Sequence, residues 1–190
     1  MTHPFPNHHD RDLRRLPSRR GFTLVELLAV VAMIGILSAI ALVGYGKYLN
    51  ASRVGEAKAV IGAIRVAQEN IRAETLSYLS CSPDLVTYYP AAPDGKKRNF
   101  YDQGNAQDPC WRMLNVVTDS PTTFGFAVVA GLAGTNPVAP STQAKPTWPT
   151  PANRPWYVIQ AEGDSDADGV PSYLVSSSFN GEIYVENETE

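Results

Sequence analysis

Histidine is nearly missing from this chain: His3, His8 and His9 are the only three in 190 residues, and none follows position 9. Imidazole is the side chain that changes charge near neutral pH in its ordinary state, so an imidazole base or metal ligand is excluded from nearly the whole sequence. No glycine-rich phosphate loop occurs, and no base can be named for any of the many serines. An enzyme is therefore not expected. Clustered cations are scarce as well. Arg11, Arg14, Arg15, Arg19 and Arg20 stand at the N-terminal end. Without the first 21 residues, the loss of these five arginines and two aspartates leaves 11 basic and 17 acidic side chains, a net of −6. Nucleic-acid binding needs clustered cations and is not expected as the main task; Lys96-Lys97-Arg98 reads as a solvated loop.

Charge is also missing from one long run. Between Phe22 and Val43, 22 residues, only Thr23, Glu26 and Ser38 are polar. As a helix the run spans roughly 33 Å at about 1.5 Å per residue, close to the ~30 Å hydrocarbon core of a bilayer. The arginines before it place the N-terminal side in the cytoplasm by the positive-inside rule. Glu26 is the odd residue, because a carboxylate is costly in hydrocarbon unless paired or neutralised. It can sit among the head groups, or it can be paired. A cut between Gly21 and Phe22 would create an α-amine, with an unperturbed pKa near ~8, as its counter-charge. A secretory signal is the rival for this stretch, with a faint small-residue cleavage site at Ser38-Ala39-Ile40-Ala41; the acid at Glu26 and the Gly-Phe junction oppose it.

Arg19-Arg20, Gly21-Phe22-Thr23-Leu24-Val25-Glu26 and the run Val31 to Ala41 together resemble the N-terminal signature of type IV pilins and related pseudopilins. The match covers about residues 19–49. The resemblance implies that 1–21 is a leader removed by a prepilin peptidase at Gly21–Phe22, with methylation of the new N-terminal Phe22. It implies that Glu26 pairs with the amine of a neighbouring subunit during filament assembly. Copies of the chain and related pilins, the peptidase, the inner membrane and the pilus assembly machinery are the implied partners. The implied localisation is a single-pass inner-membrane store, then a surface filament or a periplasmic pseudopilus. Many pilins carry a helix-bending proline after the Ala-Ile pair; here Val43 stands there, followed by Gly44 and Gly46, which weaken a helix by about 1 kcal/mol each relative to Ala.

Beyond Val43 the helical pattern becomes amphipathic. Val54, Ala57, Ile61, Ile64 and Ile71 share one stripe, while Arg65/Glu69 and Glu69/Arg72 are spaced to meet on the surface. One helix is thus expected over 22–79, its part 22–43 transmembrane, ended by Ser80-Cys81-Ser82-Pro83. A head follows over 80–190. Its first part, 81–121, is loop-like, punctuated by proline and glycine, with a helical turn at Trp111 to Leu114. Cys81 and Cys110, the only cysteines, suggest a disulfide in an exported domain, with two buried thiols as the alternative. Strands are expected at 122–130, 155–161, 171–178 and 182–186, with a Phe179-Asn180-Gly181 turn, forming an antiparallel sheet within 122–187. The fold class is α+β: a long N-terminal helix packed by its stripe against that sheet. Residues 135–155 form an exposed loop with Trp148 tucked against the head.

Asp164-Ser165-Asp166-Ala167-Asp168-Gly169 places three carboxylates at alternate positions before a turn glycine. Asp164, Asp166 and Asp168 can converge oxygens on Ca2+, although Val175 stands where an EF-hand needs its acid. A solvated hairpin loop is the alternative. Three functions are carried forward: a major or minor type IV pilin; a pseudopilin of a type II secretion system; and a single-span, membrane-anchored calcium-binding domain.

Overall fold

The computed structural model describes residues 21–101, 104–118, 120–142, 146–164 and 167–188. The expected leader, apart from Gly21, lies outside them. The chain divides into two compact units, Met1–Ala41 and Leu42–Glu190. In the first, every described residue is helical or leads into the helix, and every one is exposed. The helix, α1, runs Leu24–Thr75.

In the second unit α1 is amphipathic as the periodicity predicts. Val54, Ala57, Ile61 and Ile64 are fully buried against the head. The helix ends at Thr75, four residues before the expected Leu79, and not at the Ser80–Pro83 stop. Leu76 takes the left-handed conformation (φ 61°), and its N–H donates to the Arg72 carbonyl at 2.9 Å. The reason lies eight positions upstream of that turn. Buried Gln68 donates its amide to the Leu79 carbonyl (2.6 Å) and accepts from the Leu79 N–H (2.9 Å). Residue 79 is therefore held back alongside α1, and the chain must reverse within Leu76–Tyr78.

Four strands follow: β1 Gly125–Gly131, β2 Trp156–Gly163, β3 Ser172–Ser177 and β4 Ile183–Glu186. They form one antiparallel sheet in the order β1-β2-β3-β4. Val128 faces Ile159, Ala161 faces Leu174 and Leu174 faces Val185 across the ladders. Phe126, Val128, Tyr157, Ile159, Ala161 and Leu174 join the helix stripe in one core. Val129, Trp156, Val158 and Val175 point to the other face, where Leu85, Ala152 and Trp148 cover them. Burial on both faces explains why β2 reads as an almost unbroken apolar run instead of alternating. The expected strands all form, and their ends shift by no more than three residues.

Residues 81–100 do more than connect. Cys81 and Ser82 both donate backbone N–H groups to the Val128 carbonyl, and Tyr89 exchanges two backbone bonds with Phe126. This segment seals the outer edge of β1. The expected helical turn is α2, Asp108–Leu114, with a proline in its first turn and Asn115 left-handed at its end. The Cys81–Cys110 disulfide forms, with a Cα separation of 5.3 Å. It is not alone in shaping the loop: Tyr89 stacks on Trp111 at 5.1 Å and both pack on Phe100. Of the expected surface pairs, Glu69 meets Arg72 at 3.5 Å. Arg65 instead donates to the carbonyls of Gly181 (2.8 Å) and Asn180 (3.4 Å) and pins the β3–β4 turn.

Asp108 accepts hydrogen bonds from the Tyr89 hydroxyl and the Arg112 guanidinium. The tyrosine bond first, and the arginine next, hold its carboxyl below the ordinary value of 3.8. A depressed folded pKa stabilises the fold above the unfolded value, and that stability is lost as pH falls through the folded one. The stability gap between the wild type and Asp108→Asn should therefore close as pH is lowered below 3.8, read by denaturant titration of the detergent-solubilised chain. In the same assay at neutral pH, Ile64→Ala should cost about 2–5 kcal/mol.

Candidate functional site

The stretch that carries the sequence argument begins at Gly21 and enters α1 at Leu24. Phe22, Leu24, Val25, Leu27 and Leu28 are all exposed. Among the described residues, α1 is long and apolar enough to cross a membrane. Exposed apolar surface of this extent marks a face made for lipid or for other protein.

Glu26 lies on this surface and is locally satisfied. The Thr23 backbone N–H and the Thr23 hydroxyl both donate to Glu26 Oε2 at 2.8 Å. The Glu26 N–H points back to Thr23 Oγ1 at 3.2 Å, and the Leu27 N–H makes the first helical bond to the Thr23 carbonyl. This is a capping box: a threonine at the N-cap and a glutamate three residues on satisfy each other's orphan groups. Thr23 is a site residue that the sequence argument passed over, although the Thr-x-x-Glu spacing announces it. The box orients the carboxylate but does not neutralise it, since no ion pair to Glu26 occurs among the described residues. One oxygen, Oε1, also has no hydrogen bond among them.

The acidic loop joins β2 to β3. Asp164 Oδ2 accepts from the Gly169 N–H at 3.0 Å, and Asp168 Oδ1 accepts from the Val170 N–H at 2.8 Å. Ala167 and Gly169 adopt positive φ. Both carboxylates thus build the turn, as the solvated-loop alternative requires. Asp164 Oδ1, however, is buried with no hydrogen-bond partner among the described residues. Asp166 lies outside the described residues. Among the described residues no three His, Cys, Asp or Glu side chains group as metal ligands.

With this geometry in place, similarities to known proteins can be set against it. Residues 16–42 match the prokaryotic N-terminal methylation motif. The chain is 37% identical over 94 residues to the type IV major pilin protein PilA of Myxococcus xanthus, covering 50% of this chain and 41% of that protein. It is 36% identical over 74 residues to a fimbrial protein of Pseudomonas aeruginosa, across 39% of this chain and 48% of that one. Over 139 residues it is 32% identical to the type IV major fimbrial protein FimA of Dichelobacter nodosus, covering 73% of this chain and 86% of that protein. The first two matches span less than half of those relatives' lengths. No solved structure matches the chain.

Thr23→Val removes the hydroxyl donor of the box while keeping a similar volume. Loss of an N-cap costs about 1 kcal/mol, so amide exchange at Leu27 should quicken accordingly, while exchange in β2 stays unchanged.

Proposed function

The chain belongs to the type IV pilin family, and we propose that it is a filament subunit, cleaved at Gly21–Phe22, held in the inner membrane and polymerised through α1 into a surface filament. The observation that supports this best is an uncovered apolar helix whose first turn holds one oriented, unneutralised carboxylate beside the junction. Cleavage after Gly21 turns the Phe22 nitrogen into a cationic amine, one residue from the cap. The box ties up Glu26 Oε2 through Thr23 and leaves Oε1 for that amine on a neighbouring subunit. In a medium of low dielectric the attraction between the two charges is strong, while either charge alone is penalised. Bringing copies together is then favoured at the stagger that joins acid to amine. Prepilin peptidase and the assembly machinery are the partners this reading requires. The apolar sides of the helices cover one another as well, and that term is insensitive to stagger. Nothing in this scheme needs a catalytic group in the subunit.

A pseudopilin of a type II secretion system uses the same helix chemistry and is the second reading. The anchored binder is the third, and it differs in keeping its leader. Mass spectrometry of sheared filaments should find a chain that starts at Phe22 and carries one extra methyl group. Residues upstream of Phe22 still attached would overturn the proposal. Glu26→Ala should be processed yet assemble poorly. Glu26→Gln should assemble poorly too, because it keeps an acceptor for the cap and loses the charge; normal assembly of this variant would assign Glu26 to helix capping alone.

We also propose Ca2+ for the 164–169 loop, on the strength of the orphaned, buried Asp164 Oδ1. Asp164, Asp166 and Asp168 would hold the ion, which supplies a divalent charge against three acids and fixes the loop. Ca2+, but not Mg2+, should raise the Tm of the detergent-solubilised chain, and Asp166→Ala should abolish the rise. An unchanged Tm with Ca2+ would remove the metal from the scheme and leave the filament reading intact.

A further inference from the structure

On the sheet face turned away from α1, the loop before β2 and the β3–β4 turn enclose an open concavity of about 550 Å3. Two aromatic rings form part of its wall. Trp148 stacks on Phe179, with centroids 5.9 Å apart and planes 25° from parallel. The Arg154 guanidinium sits over Phe179 at 5.9 Å and donates through Nη2 to the Ser178 and Phe179 carbonyls at 3.2 and 3.3 Å. The turn is thus clamped by Arg154 here and by Arg65 from α1, so its wall of the concavity is preset.

Several donors along these walls are unspent. A guanidinium carries five N–H groups, and Nη2 accounts for two of them. The Nε and Nη1 hydrogens of Arg154 have no partner among the described residues. Trp148 Nε1 is buried and has no hydrogen-bond partner among the described residues. Exposed Asn153 makes no hydrogen bond among the described residues, and Asn180 spends its amide on the Tyr184 hydroxyl at 2.9 Å, which leaves its carbonyl oxygen. A purely apolar ligand would cover the Arg154 and Asn153 donors without satisfying them, at a real cost in affinity. A polyphosphate or nucleic acid needs several cations, and Arg154 is the one charged side chain lining the concavity among the described residues. What remains is a ligand with a flat, weakly positive C–H face for the negative faces of the rings and many oxygens at its rim.

We propose that this concavity binds a saccharide, with Trp148, backed by Phe179, against the C–H face of one sugar ring and Arg154 and Asn153 on its oxygens. The site uses none of the residues of the filament chemistry at Gly21–Glu26, so its failure would leave that scheme untouched. Because Trp111 and Trp156 are buried (0% and 3% exposed), Trp148 is the indole that a ligand can reach. The test uses the full chain in a sugar-free zwitterionic detergent, with sialyllactose and lactose as probes. Saturation-transfer NMR should show transfer to the C–H protons of one sugar face, and the probe should shield tryptophan emission from acrylamide. Trp148→Ala should lose the transfer and Trp148→Phe should keep it. Asn153→Ala, which disturbs no packing, should weaken it. No transfer from the folded wild type to either sugar, or equal transfer from wild type and Asn153→Ala, overturns the proposal. Saturation of N-acetyl-phenylalaninamide in place of both sugars would likewise overturn it, in favour of a peptide site.

Discussion

Everything in this chain follows from asking one helix to serve two solvents. Along Leu24–Ala41 the side chains of α1 find no cover within their own unit, so hydrocarbon or other copies must supply it. From Val54 onward the same helix packs one stripe into the core beneath a sheet, fully buried from Val54 to Ile64 and half-buried at Ile71. An apolar stretch without a polar sequel would be only an anchor, and an amphipathic helix without the apolar lead would be only a scaffold. The pairing of the two is what the proposed filament subunit needs: an apolar length for a membrane or for other copies, and a stripe that carries the head.

Glu26 shows how a cost can be turned to use. Thr23 gives its carboxylate two donors, so the acid is tolerable and its direction is set while the charge survives. A carboxylate buried without such an orienting partner would tend to neutralise by taking a proton and would carry no information about stagger. Capping, usually described as local helix chemistry, is in the proposed scheme also what would keep the acid ready for a partner beyond its own chain.

Much of this was legible in the sequence because it is written locally. The apolar run, the stripe from Val54 to Ile71 and the four short strands depend on periodicity, and the structure keeps each of them. The disulfide was suggested by count and compartment alone. What escaped prediction depends on contacts between distant residues. The helix stops at Thr75 because Gln68 grips Leu79, and no cap, proline or glycine at that point announces it. The 81–100 segment looks structureless because it follows β1 through single bridges and shared carbonyls, which leave no alternation in the sequence. Its aromatic cluster joins residues from 89 to 126, a span no window resolves. The Thr23 cap is the exception: it was spelled out in four adjacent residues and was overshadowed by the glutamate's larger role.

The sealed flank of the sheet carries a consequence for crowding. A polymer sets many identical heads side by side at very high local concentration, the condition under which bare strand edges recruit one another. Here Cys81, Ser82 and Tyr89 already occupy the bonding groups of β1. At the opposite margin β4 is only four residues long, and acidic Glu182, Glu186 and Glu188 flank or end it. Heads brought side by side can therefore press together without their sheets fusing.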